Sequence, residues 1–355
     1  MNKSNRRNNG NEYELPKRIG ITYSDVRRAY FPTEAQYITE KDADKDARLI
    51  ASYLETLGIT VHLYPGNQTL PAHLRRDKPE MVINLVDSVK GDETLASAIP
   101  GVLELLDIPY TGADILGLSL DTNKFLVKKL LEQNGIPIPH YQLFNTPGDY
   151  IDPTLRFPLI TKLNSIHGAV EITREAVSEN EKHLRERLKY LIQTYKQPVL
   201  TEEFIVGREV TCILLEGMNK KVYLAEKVFL NPEDKYTFTT FEDQWFLQGG
   251  EVHQYQKYDD PVLKEYIKRA FDVTKMYDYG KFDVRIDQSG RYFFIDTNCN
   301  PAFGPKELDV ALSVILDIFG ISFYEILKRL LLNTVRDSFG KDRLPLPEEA
   351  ESEAG

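Results

Sequence analysis

Hydrophobic and polar positions in the first third of the chain alternate between strand-like and helix-like patterns. Short apolar runs at 18–23, 59–64 and 81–86 predict β-strands, and the last run is apolar enough for a buried parallel strand. Between the first two runs, apolar residues spaced by three and four predict a helix that ends at Gly58. A second helix is predicted at 93–106. Strands that alternate with helices indicate βαβ units and a parallel sheet.

The rest of the chain mixes both patterns. Asp121 or Thr122 is the predicted N-cap of a helix with an apolar stripe at Leu126, Val127, Leu130 and Leu131. Further predicted elements are strands at 157–162, 199–205 and 222–229 and helices at 262–276 and 323–331.

These elements predict an α/β protein with α+β parts and three folded domains. The predicted divisions are a disordered tail at 1–16, an N-terminal parallel α/β domain at 17–115, a central domain at 116–209, a C-terminal domain at 210–336 and an acidic tail at 337–355.

Composition narrows the class of protein. The net charge of -10 argues against a nucleic-acid partner. Two cysteines, Cys212 and Cys299, cannot form a disulfide framework and fit a reducing compartment. No apolar run approaches the roughly 20 residues of a membrane helix, and the basic start of the chain lacks the apolar region of a signal peptide. We therefore expect a cytoplasmic protein with no membrane partner.

The segments 281–287 and 292–298 carry the strongest chemical signal. They read as two strands of a hairpin joined at Ser289-Gly290. Because side chains alternate along a strand, Lys281, Asp283 and Arg285 should share one face, and so should Asp296 and Asn298. Oxygen ligands of this kind suit Mg²⁺. The alternative is a solvated polar face of an amphipathic hairpin.

Two other features fit nucleotide binding. Lys124, Lys162 and Lys227 lie at the start of a helix, the end of a strand and within a strand, where they could contact phosphates or remain solvated. In the segment 201–209, Phe204 and Ile205 could pack against an adenine and Glu209 could accept ribose hydroxyls. The alternative is an interdomain strand with exposed acids.

Together these features resemble the ATP-grasp superfamily, in its D-alanine–D-alanine ligase-like branch. The resemblance covers residues 81–305. It rests on the order and spacing of several segments: Asn84–Asp87, Gly91–Glu93, Leu103–Gly112, Asn123-Lys124 with Gly135–Pro137, Glu202–Glu209 and the acidic hairpin that closes with Asn298–Pro301. The implied fold has an N-terminal domain followed by two domains that sandwich ATP.

The resemblance also implies site residues and cofactors. The implied cofactors are ATP and Mg²⁺, with Mn²⁺ as an alternative to Mg²⁺. By this resemblance the ATP phosphates contact Lys124, Lys162 and Lys227. The adenine amino group contacts Glu202, the main chain of Glu203, Phe204 and Ile205 contacts the adenine ring, and the ribose contacts Glu209. The implied metal ligands are Asp283, Asp296 and Asn298. Related proteins more often have Glu where this chain has Asp296.

The implied activity is an ATP-dependent carboxylate–amine ligase that forms an amide or peptide bond through an acyl phosphate. Arg285 and Lys281 are the candidate catalytic residues, because cations can stabilise the developing oxyanion. An ion pair of Arg285 with Asp283 or Asp287 is the alternative. Residues 233–250 are rich in aromatics and end in Gly249-Gly250, so they could form a lid or a hairpin with a packed core. Cys299 has no activating base nearby and is expected to pack.

The expected substrate follows from where the resemblance weakens. Residues 22–28, 87–90 and 166–169 differ from the segments that D-alanine ligases use, so an amino acid or small peptide other than D-alanine is expected. Arg27, Arg28, His167 and Asn300 are the candidate substrate contacts. The alternatives are a thiol, hydroxyl or phosphoryl acceptor, or a regulatory protein without turnover. The resemblance leaves room for a homodimer, although no segment carries an interface signature.

Overall fold

The structure, a computed structural model, describes residues 14–230, 232, 235–247 and 249–349. The predicted tail residues 1–13 and 350–355 lie outside the described residues. Three sheets organise the described part: a three-stranded parallel sheet near the N-terminus, then a four-stranded and a five-stranded antiparallel sheet. This mixed architecture confirms the predicted fold class.

The N-terminal unit has the strand order β2-β1-β3, and both pairs are parallel. The helix Ala43–Thr56 buries Ala47, Ile50 and Leu54, the predicted apolar stripe, against this sheet. Its elements are β1 (Arg18–Ser24), α1 (Glu34–Glu40), α2 (Ala43–Thr56), β2 (Thr60–Gly66), α3 (Leu70–Asp77), β3 (Met81–Leu85), α4 (Ala98–Leu105) and α5 (Ile115–Asp121).

The central part of the chain builds the four-stranded sheet, in the order β4-β7-β5-β6. One face of this sheet is covered by α7, which buries Leu184, Leu188 and Leu191. The elements are α6 (Lys124–Gln133), β4 (Tyr141–Phe144), β5 (Leu159–Leu163), β6 (Val177–Ser178), α7 (Glu181–Tyr195) and β7 (Val199–Glu203).

The C-terminal part builds the five-stranded sheet, in the order β10-β9-β8-β11-β12. On one face, α6 and α10 pack against it, and the opposite face joins the core of the N-terminal unit. The elements are β8 (Gly207–Glu216), β9 (Lys220–Phe229), α8 (Phe241–Trp245), α9 (Gly249–Val252), β10 (His253–Tyr258), α10 (Pro261–Val273), β11 (Tyr279–Asp287), β12 (Tyr292–Asn298), α11 (Ala311–Ile318) and α12 (Phe323–Ser338).

Two predicted helix boundaries are wrong. Asn123 caps α6, because its Oδ1 accepts the N–H of Leu126 at 3.1 Å, and Asp121 is instead the last residue of α5. The helix predicted at 93–106 is divided into a 3₁₀ turn at Glu93–Leu95 and α4. Pro100 explains where α4 begins, since proline is tolerated only in the first turn of a helix.

The end of the described chain is more ordered than the predicted tail. α12 continues through Ser338, and Leu344 and Leu346 are buried in the C-terminal core region. Arg343 pairs with Asp278 at 2.6 Å. These contacts hold the residues after α12 against the five-stranded sheet. Both cysteines are buried and free, as expected for packing residues.

Candidate active site

A cavity of about 1300 Å³ lies where the three sheets face one another. Asp87 follows β3, Lys162 and Glu202 lie on the four-stranded sheet, and Lys281 and Asp283 lie on the five-stranded sheet. Small-molecule sites commonly occupy about 300–1,000 Å³. The cavity therefore has room for more than one reactant.

The two carboxylates of the predicted metal site meet on the β11–β12 hairpin. Asp283 lies opposite Asp296, and Lys281 lies opposite Asn298, so the two predicted faces meet in this register. Asp283 accepts a hydrogen bond from Thr211 Oγ1 at 2.9 Å and forms an ion pair with Lys281. The Nδ2 of Asn298 donates to Asp296 Oδ2 at 3.1 Å. These side chains line the cavity and form one polar corner.

This corner suits a cation that also takes oxygen ligands from a substrate. Among the described residues, no three His, Cys, Asp or Glu side chains are grouped as metal ligands. Burial alone would raise the pKa of Asp296, but Lys124, Lys162 and Lys281 outweigh burial and hold that pKa below its usual range. Two carboxylates and an amide oxygen fit Mg²⁺ when substrate phosphates complete its coordination.

Four lysines beside this corner line the cavity, and we call them the lysine pole: Lys124, Lys162, Lys227 and Lys281. Each ammonium group has a protein partner. Lys124 Nζ donates to the carbonyl of Ile166 at 2.7 Å, and Lys227 Nζ lies 2.7 Å from Glu209 Oε1. The lysine pole is therefore a set of positioned cations, as phosphate binding requires.

Glu202 lies between two lysines, one of which the sequence reasoning missed. Lys128 Nζ lies 2.8 Å from Glu202 Oε1, and Lys162 Nζ lies 2.9 Å from Glu202 Oε2. On α6 the buried positions are Val127, Lys128 and Leu131, whereas the predicted stripe residue Leu126 is exposed. The sequence does contain one signal for Lys128: it lies four residues after Lys124, on the same side of the helix, between the apolar residues Val127 and Leu131.

The segment predicted to hold an adenine is anchored through its main chain. The N–H groups of Glu203 and Phe204 each donate to a carbonyl at 2.9 Å. The ring of Phe204 is buried and packs against Tyr236 and Phe238, with ring centroids 5.2 and 5.7 Å away. This segment, including Ile205, forms a rigid wall of the cavity.

Arg285 has different partners from the two carboxylates that we considered. Its Nη2 lies 2.9 Å from Glu209 Oε2 and donates to the carbonyl of Thr237 at 2.6 Å, and its Nη1 donates to the carbonyl of Ile205 at 2.9 Å. Burial would raise the pKa of Glu209, but Lys227 and Arg285 hold that pKa far below its usual range. Arg285 thus fixes the predicted ribose ligand and the adenine wall.

A second part of the cavity lining, adjoining Lys124, carries carboxylates, and we call this cluster the acid pole: Glu40, Asp87, Glu93 and Asp121, with His167 among them. The ring of His167 forms an ion pair with Glu93 and lies 3.6 Å from Asp121 through Nε2. Its main-chain N–H donates to Glu93 at 2.9 and 3.0 Å. Glu40, at the end of α1, accepts a hydrogen bond from Ser88 Oγ at 2.8 Å.

Burial and the close packing of charged groups shift the pKa values of the acid-pole residues. Burial, reinforced by the charge of Glu93, raises the pKa of Glu40 to about 7. Burial and the neighbouring carboxylates raise the pKa of Asp87 well above its usual range. Burial and Lys124 lower the pKa of His167, but Glu93 and Asp121 outweigh them and raise it to about 9. This part of the cavity therefore suits a cationic group.

The candidate substrate residues are divided between the cavity and the outer surface. His167 and Asn300 line the cavity, and Asn300 accepts a hydrogen bond from Tyr279 at 3.4 Å. Arg27 and Arg28 are exposed and lie outside its lining, and their contact with a substrate stays a prediction. Their guanidinium groups pair with Asp25 at 3.7 Å and Glu34 at 2.8 Å.

The predicted lid is described only in part, since residues 233, 234 and 248 lie outside the described residues. Phe238 and Phe241 are buried in hydrophobic clusters, and the Trp245 ring N–H donates to the carbonyl of Gly168 at 2.8 Å. Phe246 is exposed. The aromatics thus cover the loop that carries His167, while a lid motion stays a prediction.

Comparison with known proteins identifies the family to which the chain belongs. The family model described as "D-ala D-ala ligase C-terminus" matches residues 130–332, more than half of the chain. A D-alanine–D-alanine ligase of Aquifex aeolicus is 27% identical over 276 residues, which cover 75% of this chain and 87% of that protein. An uncharacterised protein of Sinorhizobium fredii is 26% identical over 264 residues, covering 71% of this chain and 77% of that protein.

Solved structures agree on the fold. The D-alanine–D-alanine ligase of Bacillus anthracis, in a crystal structure with ATP, superposes with a TM-score of 0.68 at 17% identity and covers 91% of this chain and 99% of that one. The ligase of Coxiella burnetii gives a TM-score of 0.64 at 16% identity, covering 92% and 96%. In the part of the chain that the structure describes, every helix is too short or too polar to cross a bilayer.

Proposed function

The chain belongs to the D-Ala D-Ala ligase C-terminus family and is a D-alanine–D-alanine ligase-like ATP-grasp enzyme, and on this basis we propose that it joins a small carboxylate to a small amine at the expense of ATP. The observation that carries the proposal is that the Asp283–Asp296 corner, the lysine pole and the acid pole all line one cavity.

The nucleotide end of the site is supported by the donor set. In this proposal the lysine pole binds the phosphates, Glu202 and the wall at 203–205 bind the adenine, and Glu209 binds the ribose. The structure of the Bacillus anthracis relative contains ATP, which supports ATP as the nucleotide but does not assign these residues. Asp283, Asp296 and Asn298 would hold Mg²⁺, which neutralises phosphoryl charge when bound.

The reaction begins with attack of the substrate carboxylate on the γ-phosphorus. The bond to the β–γ bridging oxygen breaks, ADP leaves and an acyl phosphate is formed. The amine nitrogen then attacks the acyl carbon, phosphate leaves and the nitrogen loses one proton. Lys281, paired with Asp283 beside the corner, is positioned to stabilise the developing negative charge. Arg285 would contribute by holding Glu209 and the adenine wall.

The acid pole supports an amino acid or a small peptide as a reactant. Its carboxylates can accept the hydrogen bonds of an ammonium group, and a cation relieves the repulsion that raises their pKa values. Asp87 and His167 lie in the segments that differ from D-alanine ligases, and Glu40 closes the α1 segment after β1. We therefore propose a substrate other than D-alanine.

The test is ADP formation with Mg·ATP and a panel of amino acids and dipeptides, offered singly and in pairs. We expect release that depends on a pair of substrates and is lost in Asp283→Ala. Asp272→Ala is the matched control, because Asp272 is an exposed aspartate on α10. Tight ATP binding without ADP release for any pair would instead favour a nucleotide-binding regulatory protein.

A further inference from the structure

Lys128 is a buried charge to which the proposed reaction gives no role. It lies on α6, one turn after Lys124, and only 4% of its surface is exposed. Besides the ion pair with Glu202, its ammonium donates to the carbonyl of Phe294 at 2.7 Å and to that of Ile295 at 3.4 Å. A buried ammonium is costly unless it is fully partnered, and Lys128 has these partners.

The partners of Lys128 are almost the same as those of Lys162. Both lysines lie within 2.9 Å of Glu202 Oε atoms, and Lys162 also donates to the Ile295 carbonyl at 2.7 Å. The two ammonium groups therefore bridge the same two elements, β7 of the four-stranded sheet and β12 of the five-stranded sheet.

A bulge in β12 makes this bridge available. Asp296 pairs with Asp283 and Phe294 pairs with Val284, so Ile295 is an extra residue with no partner on β11. An extra residue in a bulge is left out of the hydrogen-bond ladder, and its carbonyl is free to accept side-chain donors. That carbonyl lies directly before Asp296 and ties the lysine bridge to the metal corner.

The two lysines differ in what they can reach. Lys162 lines the large cavity, whereas Lys128 lines only a small cavity of about 10 Å³ behind it, together with Glu202 and Asp296. Lys162 can therefore turn toward a ligand, and Lys128 cannot. If Lys162 were the only counter-charge of Glu202, its movement to a ligand would leave Glu202 with a buried, unpaired charge, which is costly.

We infer that Lys128 is a positioning residue that allows Lys162 to bind the nucleotide phosphates. Lys128 holds Glu202 and the β12 carbonyls when Lys162 moves to the ligand, so neither the carboxylate nor the bulge loses all of its partners. Without Lys128, Glu202 retains Lys162 as its sole counter-charge. This inference rests on the proposed binding of ATP by Lys162.

The experiment compares the affinity of Mg·ATP with that of adenosine, by calorimetry, for wild type and Lys128→Met. We expect the affinity for Mg·ATP to fall by about tenfold or more and the affinity for adenosine to change by less than about threefold, since only ATP has phosphates for Lys162 to reach. Lys129→Met is the matched control, because Lys129 is the next residue on α6, is exposed and lies outside the cavity lining.

A second measurement separates this role from a structural one. In a Glu202→Gln background the side chain at position 202 is neutral and needs no counter-charge when Lys162 moves to the ligand. Adding Lys128→Met to this background should therefore change the Mg·ATP affinity by less than about twofold. An equal loss in both backgrounds, or unchanged Mg·ATP affinity in a folded Lys128→Met protein, would overturn the inference. Lys128→Gln, which can still donate to the β12 carbonyls, replaces Lys128→Met if the latter does not fold.

The outcomes also separate this inference from the proposed function. Wild-type protein that fails to bind Mg·ATP would overturn the proposed function and this inference together. Wild-type protein that binds Mg·ATP through Lys162, as shown by weaker binding in Lys162→Met, while Lys128→Met binds normally would overturn only the role of Lys128.

Discussion

The lysine pole and the acid pole line one cavity but are built in different ways. Three of the four pole lysines, Lys162, Lys227 and Lys281, lie on regular strands inside the segment that the family model matches. Glu40, Asp87 and their carboxylate neighbours lie before that segment, at the ends of short elements or in loops. In the proposed function, regular strands carry three of the cations that bind phosphate, and loops and the ends of short elements carry the carboxylates that select the ligand.

The two poles also differ in electrostatic balance. Each lysine of the lysine pole has a protein acceptor, such as Glu209 for Lys227, so these charges are held in place. The carboxylates of the acid pole repel one another, and His167 is the cation among them. The comparison indicates that the lysine pole is ready for its ligand, whereas the acid pole becomes stable when a cation is added.

The largest effect is expected at the lysine pole. Lys281→Met removes a cation beside Asp283, and we expect turnover to fall by roughly 10²–10³-fold, the cost of losing one important positioned donor. Steady-state ADP formation with the active substrate pair measures it. Lys221→Met, a strand lysine outside the cavity lining, is the control and should stay within about twofold. A loss below about tenfold would show that Lys281 is not part of the charge-stabilising set.

The acid pole should affect the dependence of stability on pH. The folded-state pKa of Glu40, about 7, is raised from 4.5, so the stability that this group contributes is present below pH 4.5 and is lost as the pH rises through 7. Glu40→Gln removes that loss, which is at most roughly 3 kcal/mol. Urea unfolding at pH 4.5, 6 and 7.5 would test it: the advantage of the variant should grow with pH. An advantage that is constant across this range would contradict the burial argument.

His167 gives the acid pole a second, smaller dependence at higher pH. Its pKa is raised from 6.5 to about 9, so its contribution to stability is fully present below pH 6.5 and is lost as the pH rises through 9. We expect the free energy of unfolding to fall by roughly 2 kcal/mol over this pH range, a value that already allows for screening by solvent in the cavity. The substitution His167→Gln should abolish this fall. The measurement is urea unfolding at pH 6.5, 8 and 9.5. His183→Gln, at an exposed position on α7, is the control.

The β11–β12 hairpin was predictable because its signals are local: alternating side chains and the Ser289-Gly290 turn. The pairing of Asp283 with Asp296 was not predictable, because it depends on an extra residue in β12 that shifts the register. The bulge at Ile295 was not predictable, since no glycine or proline marks it. Lys128, on α6, was missed because its ion-pair partner Glu202 lies 74 positions later, on β7.

The acid pole could not be predicted as a cluster, because tertiary contacts alone bring its members together. Glu93 and His167 are 74 positions apart and belong to different units of the fold. The helix α1 is seven residues long and buries Gln36 and Glu40, so its sequence gives no apolar stripe. Burial of such polar residues is decided by their hydrogen-bond partners, which sequence periodicity does not show.

The smallest effect is expected from Asp296→Glu, which gives the metal corner the residue more common in related proteins. The added methylene keeps the charge and lets the carboxylate reach further, while Asn298 and the lysine pole stay in place. We expect turnover to change by less than about tenfold, or 1.4 kcal/mol, whereas the concentration of Mg²⁺ needed for half-maximal rate should fall, because a longer arm permits bidentate contact. Titration of the rate with Mg²⁺ measures both quantities. A loss as large as that of Lys281→Met would mean that this hairpin requires the shorter side chain of aspartate at position 296. The lysines around Asp296 would then also be placed to match that shorter side chain.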